Sequence, residues 1–171
     1  MNFLLLILIT SIFYNTITCN ELAFVNIGSV NVLKDGIEMY KKTFFLPKFF
    51  KSEWKLSASV CRSFDLEFAT LHTRQEFDAL VPMLRNNSNL LTTWTFINIM
   101  TLTPLSATDW YWVSTQRKID YVIPWCHYQP DGEVEWCMSL APAPGNTYCF
   151  NDHGCHYPEP FLCEKIESLL S

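Results

Sequence analysis

The 171-residue chain reads as one α+β domain with two helices packed on small antiparallel sheets. Three observations carry that expectation. Two amphipathic helical patterns, near 52–63 and 73–81, each open on a capping residue. The sequence around and after them is rich in short aromatic and β-branched runs punctuated by proline. Six cysteines lie between Cys61 and Cys163, an even number that in a short secreted chain reads as a disulfide framework.

The context is secretory. Met1 to Cys19 carries an apolar run from Phe3 to Phe13, too short to span a bilayer comfortably, followed by small and polar residues. Residues 1–19 are therefore expected to be a signal peptide, with an uncleaved anchor as the competing reading. No later stretch is apolar enough for membrane insertion, so a secreted, extracellular protein is expected. Residues 20–40 form a lead-in segment, 41–166 the domain and 167–171 a short tail. The net charge of -5 leaves no basic patch to neutralise phosphates, which argues against a nucleic-acid partner.

In chain order, 20–40 is mixed, with short apolar patches and a turn signal at Asp35-Gly36; a strand and a mobile arm both fit it. Thr43 to Leu46 predicts a strand stopped by Pro47. Ser52 is the expected N-cap of the first helix, with Trp54, Ala58 and Cys61 on one face. Thr73-Arg74-Gln75-Glu76 is a capping box for the second helix, which buries Phe77, Leu80 and Val81, with Leu84 a further candidate. Pro82 predicts a kink or an end near Val81. Asn86-Asn87-Ser88 is a glycosylation sequon, with Asn86 as acceptor, in an expected polar loop. Trp94 to Met100 predicts a strand in which Asn98 is a polar intruder, and a long loop rich in Trp, Tyr and Pro follows.

The functional signal is concentrated late. Gln129-Pro130-Asp131, Glu135 two residues before Cys137, Asn151-Asp152 three residues before Cys155, and a closing Phe161-Leu162-Cys163-Glu164 supply carboxylate and amide oxygens between cysteines. Ca²⁺ prefers such ligands, taking about six to eight hard oxygens in flexible geometry. This order resembles the C-terminal half of a C-type lectin carbohydrate-recognition domain; the resemblance extends over most of the mature chain and is strongest here. It implies the C-type lectin-like fold, with a long calcium-binding loop. It also implies that Gln129, Asp131, Glu135, Asn151 and Asp152 hold one Ca²⁺ and bind sugar hydroxyls at the same site. In that family a cis proline sits between the first two ligands, and Gln-Pro-Asp goes with galactose-type sugars. The implied partners are galactose-type glycans on cell or microbial surfaces, with oligomerisation as a route to avidity. The chain also resembles soluble lectins of insects and other invertebrates, which implies innate immune recognition.

The six cysteines alone do not choose a connectivity. The resemblance implies Cys61–Cys163 and Cys137–Cys155, and leaves Cys126 and Cys149 as partners. Two departures bear on the site. Only Gly132, Glu133 and Val134 separate Asp131 from Glu135, so Glu133 competes with Glu135 as the acid. The loop also lacks the aromatic ring that galactose-binding members place there; Tyr128, His127, Trp112 and Trp136 are substitutes, with core packing the alternative for each Trp.

Other chemistry is weaker. His127, His153 and His156 with Asp152 do not have zinc-finger spacing, and Cys155 is wanted for a disulfide. No nucleophile-elbow or zinc-protease motif is present, so an enzyme is not expected. The rival to a lectin is a protein of the same fold that binds a protein partner without sugar.

Overall fold

The computed structural model describes residues 23–34, 38–91 and 94–169. The expected signal peptide 1–19, Cys19 within it, and the Asp35-Gly36 turn lie outside the described residues. Among the described residues two α-helices pack on two antiparallel sheets, an α+β architecture.

The mixed segment before Tyr40 contains a strand. β1 (Phe24–Lys34) pairs antiparallel with β2 (Glu38–Pro47), from Phe24 opposite Pro47 to Lys34 opposite Glu38, with an irregularity between Asn26 and Gly28. Phe24, Ile27 and Val32 are its buried side chains. β3 (Glu67–Phe68) and β9 (Cys163–Ser168) complete a four-stranded sheet in the order β1-β2-β9-β3. The strand expected at 43–46 thus lies beside the last strand, Phe45 opposite Cys163. The second sheet runs β6-β5-β4-β7-β8. Its strands are β4 (Thr95–Thr101), β5 (Trp110–Trp112), β6 (Arg117–Lys118), β7 (Cys137–Ala143) and β8 (Thr147–His153).

Helix α1 spans Trp54–Ser63 and α2 spans Arg74–Asn86. Three local expectations need correction. Ser52 does not cap α1. It is buried and exchanges backbone hydrogen bonds with Glu159, at 3.0 Å in both directions, so the cap falls to Glu53. This isolated two-way bridge to a distant segment satisfies the Ser52 backbone better than capping would. The second correction is at Pro82, where α2 continues to Asn86. Losing one helical bond at Pro82 costs about 3 kcal/mol. Leu80 and Leu84 on either side are fully buried, and each contributes about 2 kcal/mol by leaving water. The two leucines outweigh the proline. Third, the sequon is not in a loop: Asn86 is the exposed last residue of α2.

The capping box holds at its first half, with the Glu76 backbone N–H donating to Thr73 Oγ1 at 3.1 Å. The Glu76 carboxylate turns inward instead. Lys42 Nζ, fully buried on β2, donates to Glu76 Oε2 at 2.7 Å and to the Thr70 carbonyl at 2.9 Å, and lies 3.1 Å from Glu164 Oε2 on β9. Thr70 Oγ1 donates to Glu164 Oε1 at 2.9 Å. One ammonium and two carboxylates therefore tie β2, α2 and β9 together inside the protein. Burial pushes the Lys42 pKa down, but Glu164 and Glu76 outweigh it and the net direction is up. For Glu164 burial wins over Lys42, and its pKa is raised.

The main core lies between α2 and the sheets and includes Phe44, Leu71, Phe77, Ile97, Trp110, Trp112 and Phe150. A smaller cluster forms around Trp54, Phe96, Phe161 and the Cys61–Cys163 pair. Trp54 reaches across it, Nε1 donating to the Ile97 carbonyl at 2.7 Å. Asn98 is buried and satisfied: its amide donates to the Phe68 carbonyl at 3.3 Å and its backbone N–H to that of Ala69 at 2.9 Å. The long loop is pinned to this frame. Tyr121 donates to the Leu71 carbonyl at 3.0 Å, Trp110 Nε1 to Ser106 and Trp125 Nε1 to Ala107, and Ile119 is buried.

Candidate functional site

The site begins at a turn. Gln129 N–H donates to the Cys126 carbonyl at 3.0 Å, enclosing His127 and Tyr128. Cys126 is held twice more, by its own N–H to the Phe150 carbonyl at 2.8 Å and by a disulfide to Cys149 with Cα atoms 4.9 Å apart. The Gln129–Pro130 peptide bond is cis. All three expected disulfides are present, Cys61–Cys163 and Cys137–Cys155 being the others. Replacing Cys126 and Cys149 with serine is expected to cost about 3 kcal/mol, from the loop-entropy model, in chemical denaturation. Because the bond joins the turn before Gln129 to the strand carrying Asn151 and Asp152, the same variant is expected to bind cations more weakly.

Asp152 is the centre of the cluster. It is buried on β8 beside Met138 of β7, and its carboxylate accepts the backbone N–H of Asp131 at 3.1 Å and of Gly132 at 3.0 Å. These bonds draw the Gln-Pro-Asp segment down onto β8. A tight turn from Gly132, its carbonyl 3.4 Å from the Glu135 N–H, then brings Glu135 back over the same spot. Gly132 is required for closeness: a Cβ there would collide with the Glu135 carboxylate. Asp131, Glu135 and Asp152 each contribute an oxygen to one group whose members all lie within 4.8 Å of one another. Glu133 is exposed and outside that group, so Glu135 is the acid that converges despite the short loop.

The amides behave differently from each other. Gln129 Oε1 is buried with no hydrogen-bond partner. An orphaned buried oxygen costs about 1–3 kcal/mol and calls for a ligand. Asn151, half-buried, donates its amide to the carbonyl of Asp152. Burial, then the charges of Asp152 and Asp131, push the Glu135 pKa up. Burial also raises that of Asp152, against the backbone donors at Gly132 and Asp131. Three crowded carboxylates, two of them (Glu135 and Asp152) with raised proton affinity, plus an orphaned amide oxygen, fit a hard divalent cation. The donor set is all oxygen, as Ca²⁺ requires.

The aromatic residues separate clearly. Trp112 and Trp110 are core, and Trp125 packs against it. Tyr128 is 83% exposed and Trp136 38%. The three histidines do not form one group: His153 is buried, stacks on Trp94 at 4.6 Å and shares Tyr157 with His156, whereas His127 packs on Tyr128. Among the described residues the acidic trio is the one group with metal-ligand spacing. Sequence reading did not find the Asp152-to-backbone clasp, because backbone donors have no residue signature.

No family model matches the chain. It is 28% identical over 123 residues to perlucin of Haliotis laevigata, covering 67% of this chain and 71% of that one. It is 23% identical over 111 residues to human C-type lectin domain family 4 member C, covering 65% of this chain and 49% of the other, so it spans about half that relative's length. Two solved structures superpose well. The C-type lectin domain of murine dendritic cell inhibitory receptor 2, in complex with an N-glycan, gives a TM-score of 0.58 at 19% identity, over 72% of this chain and 90% of that one. A calcium-independent type II antifreeze protein gives 0.54 at 18% identity, over 83% and 98%. With two helices, two antiparallel sheets and three disulfides in this arrangement, the chain carries a C-type lectin-like domain.

Proposed function

We propose that this is a secreted, calcium-dependent carbohydrate-binding protein and not an enzyme. Its site is formed by Gln129, Asp131, Glu135, Asn151 and Asp152 and prefers galactose-type glycans. The observation that carries this reading is the convergence of Asp131, Glu135 and Asp152 within 4.8 Å, next to the orphaned Gln129 oxygen. Bound Ca²⁺ would supply open coordination positions for sugar hydroxyls. The side chains would do the rest. Carboxylates only accept, and amides also donate through NH₂, so a hydroxyl gives its proton to an acid and receives one from an amide. The Gln129-then-Asp131 order supports galactose-type selection. The murine relative's N-glycan complex supports glycans as the ligand class. Secretion rests on the apolar leader and the cysteine framework; no described helix is long and apolar enough to cross a membrane. Recognition of microbial or cell-surface glycans in innate immunity is the biological role proposed.

Retention on a galactose column, released by EDTA, is the expected result. A monosaccharide held by a few exposed hydrogen bonds should bind with a dissociation constant of about 1 mM, or about 4 kcal/mol. Gln129→Glu with Asp131→Asn reverses the acid–amide order and should shift preference toward mannose. Retention indifferent to EDTA would contradict the reading.

A second reading is that the domain binds a protein partner without sugar. Two observations favour it. The Asn151 amide is engaged by the backbone, and apolar Leu102 and Val134 are largely exposed. The partly exposed Trp136 follows Val134 by two residues, and its carbonyl accepts the N–H of Thr101, the neighbour of Leu102, at 2.9 Å. No galactose retention, with Ca²⁺ binding intact, would favour that reading.

A further inference from the structure

The overall charge of -5 is not evenly spread. In a chain of 12 basic and 17 acidic residues, the stretch 48–62 holds Lys48, Lys51, Lys55 and Arg62 against the single carboxylate of Glu53. Helix α1 contains no acid at all. Its buried side is Trp54, Ser57 and Cys61. Lys55, Ser59 and Arg62, at i, i+4 and i+7, make one exposed line along the other side, with the half-exposed Leu56 next to it. Among the described residues neither Lys55 nor Arg62 pairs with a carboxylate. Lys51 does, with Glu159 at 3.2 Å, yet its side chain stays 43% exposed.

The loop leading into α1 adds a large apolar side chain. Phe49 is 87% exposed, more than any other large apolar residue among those described. The loop around it is fixed at both ends. Lys48 N–H donates to the Ala23 carbonyl at 2.9 Å, and Ser52 is bridged to Glu159. Phe50 turns inward, its ring 5.6 Å from that of Phe24 and 5.8 Å from that of Phe161. Phe49 is thereby held out in water between Lys48 and Lys51. A second turn adjoins, since Trp54 N–H donates to the Cys155 carbonyl at 3.0 Å, and it carries the exposed His156 and Tyr157.

We propose that the exposed side of α1, with the loop before it, docks on an anionic phospholipid bilayer. Negative headgroups complement the unpaired Lys55 and Arg62, and each cation near such a surface tightens binding about fivefold. Charge alone would suit any polyanion. Phe49 and Leu56 select the lipid, because they leave water only where hydrocarbon can be reached. Tyr157, with an apolar ring and a polar tip, suits the boundary between acyl chains and headgroups. The lysines flanking Phe49 keep their ammonium groups at the phosphates while the ring lies deeper. The domain rests on the bilayer in this arrangement and does not span it. The proposal is independent of the Asp131, Glu135 and Asp152 site and holds whether or not the domain binds sugar.

Flotation of the purified chain with lipid vesicles tests it, in EDTA so that no calcium bridges lipid to the acidic site. The expected result is binding to vesicles of phosphatidylcholine mixed with phosphatidylserine, not to phosphatidylcholine alone, weakening as salt rises. Phe49→Ser should bind about tenfold more weakly. Lys55→Glu and Arg85→Glu change the net charge equally, but Arg85 is an exposed residue of α2, outside this face. Lys55→Glu should lose at least about fivefold, and Arg85→Glu should stay within about twofold of the parent. All three variants should melt with the parent, since each replaces an exposed side chain. No binding to the phosphatidylserine vesicles overturns the proposal. Equal losses from the two charge reversals overturn it by showing that net charge alone acts. Parental affinity in Phe49→Ser also overturns it, and identifies a site for soluble polyanions instead.

Discussion

Lys42→Met is expected to remove about 3–5 kcal/mol of folding stability. The ammonium sits at 0% exposure between Glu76 and Glu164, which are themselves at 1% and 3%. Without it, two buried carboxylates face each other with no cation, and the Thr70 carbonyl loses its donor. The cost comes from that stranded charge, not from the ion pair's own strength, because buried pairs spend most of their attraction on desolvation. The test is therefore a comparison. Lys42→Met alone should be severely destabilised in urea, while Lys42→Met/Glu76→Gln/Glu164→Gln should recover a large part of the loss. Equal instability of the single and triple variants would show that packing volume, not stranded charge, dominates.

Glu135→Gln is expected to lower Ca²⁺ affinity on the order of a hundredfold while leaving the fold intact. The separation of effects follows from position. Asp152 is buried and clasps two backbone N–H groups, so changing it disturbs the loop as well as the ligand set. Glu135 is only half-buried and enters at the end of a tight turn. In the absence of the ion its removal should even stabilise slightly, since its charge is crowded by Asp152 and Asp131.

Burial of these carboxylates, with their mutual crowding second, sets a pH dependence with opposite signs in the two states. Both Glu135 and Asp152 have raised pKa values when folded, so the calcium-free fold binds their protons more tightly than the unfolded chain does. Their contribution is fully present below the ordinary carboxylate range and is lost as pH rises through the folded values. Calcium requires the deprotonated forms, so its stabilisation shrinks as pH falls. At about a hundred times the dissociation constant, that stabilisation is about 2.7 kcal/mol. Melting curves with Ca²⁺ and with EDTA should therefore be well separated at neutral pH and converge on acidification.

Much of this was legible in the residues, for identifiable reasons. The helices announce themselves by local signals, a Thr-x-x-Glu box and apolar residues every three or four positions, and both begin within two residues of where they are expected. The three disulfides and the cis Gln129–Pro130 bond follow the family order of cysteines and ligands. What escaped was non-local. Ser52 has every property of an N-cap, but a bridge to Glu159, more than a hundred residues later, claims its backbone. Pro82 breaks a helix on local grounds and is overruled by the burial of Leu80 and Leu84; the sequence marks both as apolar-face residues, and what it does not give is that their packing outweighs the lost bond. Lys42 reads as one more solvated lysine beside Lys41, since nothing local marks the two glutamates that meet it. At the site, sequence left Glu133 and Glu135 in competition, and the Gly132 turn decided for Glu135.

The central claim is that Asp131, Glu135 and Asp152, with Gln129 and Asn151, form a working calcium site. Isothermal titration of the purified chain with Ca²⁺ at neutral pH tests it most directly. The account predicts saturable binding of one ion per chain at or below millimolar Ca²⁺, abolished or greatly weakened by Glu135→Gln and progressively lost on acidification. No heat of binding up to several millimolar Ca²⁺, or binding that Glu135→Gln leaves untouched, would contradict it.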